Sequence, residues 1–154
     1  MDYHLQEGSL AIPEGFKDRT VNVFVLGDSA PATLSITVSR DDFLPAETMD
    51  TYIDRQMKLI AAKLRGYTIL GKRSAQLSQS TPFLGVQVDA YYIVESRPLY
   101  QRQAAFELGE GRVLVFSTTS QSNFTKQQDE NWKALLSSFQ PRAALDGTEP
   151  VTQG

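Results

Sequence analysis

The chain has 154 residues, 41% apolar and 21% charged, with a formal net charge of −3, which suits one domain with a real core. The acidic balance and scattered basic residues exclude a typical nucleic-acid binder, and the lack of cysteine excludes a disulfide frame or thiolate metal site. With His4 as the single histidine, neither a metal cluster nor a Ser/His/acid triad has its parts, so no cofactor and no enzymatic activity are expected.

Tyr3 to Leu10 reads as an edge strand or arm, and Ile12-Pro13-Glu14-Gly15-Phe16 as a turn. The N-terminal MDYHLQEGSL has neither the basic start nor the apolar core of a signal segment, and no run of about 18 apolar residues spans a bilayer. A cytoplasmic protein that does not insert into membranes is the expectation. Thr20 to Leu26 is β-branched and aromatic, a strand with Val21, Val23 and Val25 on one face and Asn22, Phe24 and Leu26 on the other. Both faces are largely apolar, so both should be covered by a helix, a second copy or a ligand. A breaker-rich stretch from Gly27 to Pro31 leads to a strand from Thr33 to Ser39, with Leu34, Ile36 and Val38 on one face.

Pro45 introduces a helix expected from Ala46 to Arg65, with Gly66 as its stop. Met49, Ile53, Ile60 and Leu64 form its apolar seam, flanked by Tyr52, Met57 and Leu59. Gln56 falls inside that seam, where an unpaired buried amide costs about 1–3 kcal/mol. It therefore either sits at the solvent edge or has a partner. Asp41-Asp42 reads as the lead into this helix rather than an acid/base pair, because consecutive residues diverge on a strand.

Tyr67 to Ser78 is a third extended segment, and two long strands follow on either side of Ser96-Arg97-Pro98. In the second of them Gln101, Gln103 and Ala105 share one face, and Arg102, Ala104 and Phe106 the other. Two neighbouring glutamines on one face are ordinary on a surface; in an apolar hollow they offer hydrogen bonds to whatever enters it. Gly109-Glu110-Gly111 turns into a strand from Arg112 to Thr119, and Thr125 with Gln128 has capping-box spacing for a helix from Lys126 to Ser138. Trp132, Leu135, Leu136 and Phe139 are its buried stripe. Runs of adjacent strands give an α+β class, a twisted antiparallel sheet of about six or seven strands with two main helices. Residues 1–142 form the domain, and 143–154 lack the apolar content to hold structure.

Asn22-Val23-Phe24, Ser39-Arg40-Asp41, Tyr52 with Arg55-Gln56, Gln101-Arg102-Gln103 and Trp132 with Ser138-Phe139 occur in a familiar order and spacing. The set resembles the Eag (effector-associated) chaperones of bacterial type VI secretion, a DcrB-like group with a Mog1/PsbP-like fold. The resemblance implies a cytoplasmic homodimer that shields the N-terminal transmembrane helices of an effector until its PAAR domain is loaded on the VgrG spike. It implies a groove in which Gln56, Gln101 and Gln103 contact the guest helix. Val23, Val25, Ile36, Val38, Ile60 and Leu64 are candidate apolar walls of that groove, and Arg40-Asp41 braces the start of the helix. The alternative is a Mog1-type regulatory domain that binds a folded protein without catalysis.

Overall fold

The computed structural model describes residues 2–28 and 34–142. The expectations for the 143–154 tail and for the turn through Ser29, Ala30 and Pro31 lie outside them. β1 (Asp2–His4) and β2 (Ser9–Ala11) form a small separate hairpin. β3 (Asn22–Val25), β4 (Leu34–Asp42), β5 (Thr68–Leu77), β6 (Phe83–Val94), β7 (Arg97–Gly109) and β8 (Arg112–Ser120) make one antiparallel sheet in the order β3-β4-β8-β7-β6-β5. α1 (Met49–Lys63) and α2 (Lys126–Ser137) pack on its opposite faces. This is the expected α+β architecture, with six strands in the main sheet.

Strand pairing assigns the faces. Val88, Gln103, Ser117, Thr37 and Val23 lie side by side across β6, β7, β8, β4 and β3, and so point the same way. On that side Tyr52, Ile53 and Met57 of α1 meet Val88, Ala105, Val113 and Val115 in one core. On the other side Trp132 and Leu136 of α2 meet Leu77, Ala104, Phe106, Leu114 and Phe116. The central strands are thus roofed twice, as the near-continuous burial from Val113 to Phe116 reflects. At Gly85 the sheet closes tightly: a Cβ there would stand 2.0 Å from the Ala105 carbonyl oxygen, so only glycine fits.

Local chemistry fixes the ends of the elements. α1 begins later than Pro45 suggests, because Thr48 is the N-cap: its Oγ1 accepts from Thr51 N at 3.3 Å while Thr51 Oγ1 accepts from Thr48 N at 2.8 Å. Ala46 accordingly stays outside the helix at φ 65°. Leu64 rather than Gly66 is the C-cap, and Leu59 is exposed rather than flanking the core. The β6–β7 turn is Glu95-Ser96, both with positive φ, the signature of a two-residue hairpin turn that matches strand twist. Pro98, expected at the corner, lies within β7 opposite Ile93. The Ile93 N–H points away from β7, to Arg65 O at 2.8 Å, so the proline removes no bond from this pair. α2 begins where the spacing predicts, with Thr125 Oγ1 accepting from Gln128 N and Gln128 Oε1 accepting from Thr125 N in a capping box.

Candidate functional site

α1 covers only part of its face of the sheet. Beyond it the same face continues through Gln101 and Gln103 on β7, Ser117 and Thr119 on β8, Ser35 and Thr37 on β4, and Val23 and Val25 on β3. The floor is therefore made of short side chains and two amides, with an apolar rim. Ser35 and Thr119 bond each other at 3.0 Å, which leaves fewer free hydroxyls on it. Val23 and Val25 are 62% and 58% exposed.

Gln103 is the anomaly of this surface. It stands between the covered and uncovered parts of the face, and its Oε1 is buried with no hydrogen-bond partner. A buried amide oxygen left without a donor costs about 1–3 kcal/mol. Gln101, two residues earlier, is half-buried at Thr119. Gln56 projects from α1 and donates to Asp41 Oδ2 at 3.3 Å, and Tyr52 Oη donates to the same oxygen at 2.8 Å. Asp41 thereby ties β4 to α1, the bracing role expected for it, whereas Arg40 turns to the other face and donates to Asn22 Oδ1 at 2.6 Å. Burial and the Asp41 carboxylate push the Tyr52 hydroxyl pKa well up, so it stays a donor at all ordinary pH.

The structure brings Gln56, Gln101, Gln103, Val23, Val25 and Ile60 to the α1 side of the sheet, with Ile60 half-buried against the α1 core. Leu64 is half-buried at the end of α1. Ile36 and Val38 do not join them. They pair with Thr118 and Phe116, whose side chains face α2, and Val38 packs into the α2 core. The β3–β4 register sets Val23 opposite Thr37 and Val25 opposite Ser35, so the polar half of β4 accompanies the valines.

β3 is also unusual as an edge. Its Val21, Val23, Phe24, Val25 and Leu26 neighbourhood is exposed on both faces, and it carries no charge and no bulge. The opposite edge, β5, is blunted by Lys72, Arg73 and a register shift between Ile69 and Gly71. Nothing among the described residues covers β3 as both apolar faces led one to expect. β1 and β2 lie apart in their own hairpin, with His4 Nδ1 2.9 Å from Ser9 Oγ.

One polar cluster escaped the sequence. Arg102 is 4% exposed and grips Asp89 with two bonds of 2.9 and 3.1 Å, while its Nη2 lies 2.8 Å from Asp129 in the first turn of α2. Burial works against its charge, but the two carboxylates more than offset this and hold its pKa above the ordinary value. Trp132 Nε1 donates to Gln87 Oε1 at 3.0 Å beside it. What the sequence lacked was the register that sets Asp89 on β6 beside Arg102 on β7, where the two share a face. These groups pin α2 to the sheet. Among the described residues no cluster of metal-ligating side chains occurs, and no helix is long and apolar enough to cross a membrane.

The DcrB family model matches residues 7–138. A relative named Effector EagT6, from Pseudomonas aeruginosa, is 26% identical over 141 residues, covering 91% of this chain and 95% of that protein. The crystal structure of PA94, a Pseudomonas aeruginosa protein of unknown function, superposes with a TM-score of 0.68 at 26% identity, covering 92% of this chain and 96% of that one.

Proposed function

The chain belongs to the DcrB family, and from that premise we propose that it is a type VI secretion chaperone of the effector-associated kind. In this reading residues 1–142 form one cytoplasmic binding domain without catalytic activity. The uncovered part of the α1 face receives an N-terminal transmembrane helix of an effector that carries a PAAR domain, and the complex delivers that effector to the VgrG spike. Likeness to EagT6 supports the class of role. The observation that carries the site is the buried, unpartnered Gln103 Oε1 on a floor of small side chains beside the exposed Val23 and Val25.

The physics fits a guest helix. Small residues let a helix backbone approach closely, and amides meet the serines, threonines and glycines by which membrane helices associate. Burying roughly 1,000 Å² of apolar guest surface at ~25 cal/mol per Å² corresponds to about 25 kcal/mol gross, reduced by ordering and association costs. A second copy in a homodimer covers what the guest leaves open along β3. Gln56, Gln101 and Gln103 are the polar contacts, Val23, Val25 and Ile60 the apolar ones, and Leu64 closes the α1 end. Ile36 and Val38 face α2 instead, and Val38 packs into its core.

Co-expression with the first transmembrane helices of an effector encoded beside this gene tests the reading. A soluble complex on size exclusion is expected, lost when Gln101→Ala and Gln103→Ala are combined. If those helices stay insoluble while the chaperone is folded, the reading fails. Binding of a folded protein that ignores the double substitution would favour a regulatory domain.

A further inference from the structure

Where β4 ends and β8 begins there is a cleft of about 860 Å³ that none of the preceding roles uses. Lys17, Arg19, Arg40, Arg112 and Arg142 line it, a third of the 15 basic residues of an acidic chain. Asp18, Asp41 and Asp42 also line it, which leaves a formal surplus of two positive charges. None of the five cations forms an ion pair among the described residues. Arg40 and Arg112 donate only to neutral oxygens, those of Asn22 at 2.6 Å and Gly109 at 3.3 Å among them. Two of the aspartates are engaged elsewhere: Asp18 accepts from Thr20 N at 2.9 Å, and Asp41 from Tyr52 and Gln56. The half-buried Leu108 and Phe139 add apolar surface to the same cleft.

Like charges gathered in excess of the carboxylates beside them repel one another, and a concave low-dielectric wall focuses their field. We propose that this cleft docks an acidic, partly apolar peptide segment of a partner protein. A peptide fits better than a phosphate or a nucleic acid. The cleft is far larger than one phosphate needs, and its size lies within the roughly 300–1,000 Å³ of ordinary ligand pockets. Its apolar residues offer a phosphate nothing but suit leucine or phenylalanine side chains. Asp18 and Asp42 would repel a dense phosphate array, yet can accept peptide N–H bonds. The overall negative charge opposes a nucleic acid, charged at every phosphate, more than a peptide whose acids alternate with apolar residues.

The test is an NMR titration of the full chain with a capped eight-residue peptide alternating glutamate and leucine. Parallel titrations use a glutamine/leucine peptide, inorganic phosphate and a single-stranded RNA oligonucleotide. Saturating shifts at the cleft residues with the acidic peptide alone are expected, weakened about tenfold or more by Arg112→Gln with Arg142→Gln and by raised salt. Lys17→Gln with Arg19→Gln, at exposed positions, provides a second variant should the first pair perturb folding. Equal response to the neutral peptide overturns the proposal, as does equal saturation by phosphate, which would mean an adventitious ion only, or tighter binding of RNA. Peptide binding seen only after Asp146→Asn with Glu149→Gln would also overturn it, because the chain's own acidic tail would then be the occupant.

Discussion

Gln103 on β7 stands directly opposite Val88 on β6, a core residue 2% exposed, and its amide oxygen is shut in beside that core without a donor. A site tuned for the free protein alone would have an aliphatic side chain there. Gln103→Leu should therefore raise the stability of the free protein by about 1 kcal/mol, by removing an unsatisfied buried group. The same change should weaken guest-helix capture. Urea denaturation reads the first effect and co-purification the second. A stability loss above about 1 kcal/mol would show that the amide is satisfied in solution.

The exposed β3 rim should behave differently. Val25→Lys replaces a side chain that is 58% exposed, so monomer stability should change by less than about 0.5 kcal/mol. Binding of a guest or a second copy should fall markedly, because a charge would have to be desolvated at a sheet edge. Sedimentation of the variant alone and pull-down of a tagged guest separate the two partners.

Arg102 should be the least replaceable polar residue. Arg102→Met leaves Asp129 without a cation and Asp89 with only the exposed Arg73, 3.0 Å away, so the loss expected is about 3 kcal/mol, the low end for a broken buried pair. Arg102→Lys should recover only part, since an ammonium cannot reproduce the paired bonds to Asp89. Equilibrium unfolding followed by Trp132 fluorescence reports directly on this junction.

The start of α1 should carry a pH signature. The Arg55 guanidinium, bonded to Glu47 at 2.7 and 2.9 Å, holds the Glu47 carboxyl below its ordinary 4.5. A depressed pKa in the folded state gives stability that is present above 4.5 and lost as pH falls through the folded value. Glu47→Gln should be less stable than the unaltered chain at neutral pH, with the gap closing below 4.5. Urea midpoints at several pH values measure it, and a gap that stays constant would assign the difference to shape rather than charge.

The helix ends and turns were legible wherever the signal was local. Thr125 with Gln128 marked the start of α2, and Gly109-Glu110-Gly111, all at positive φ, marked the β7–β8 turn. Pro45 misled because a capping threonine three residues later governs the hydrogen bonding that starts α1. Pro98 misled because a proline within a strand does no harm where its nitrogen is not called on to donate.

The candidate site divides along the same line. Alternation within β7 was enough to put Gln101 and Gln103 on one face and Arg102 on the other, since side chains in one strand differ only by parity. Parity carries no information about the neighbouring strand. Whether Ile36 and Val38 or Ser35 and Thr37 share a face with the glutamines depends on the β4–β8 register, a pairing between residues some eighty positions apart. Only the folded sheet settles that register, because burial of its two apolar faces under α1 and α2 is a property of all the strands together. For the same reason, the uncovered floor, the bare β3 edge and the basic cleft exist only in three dimensions.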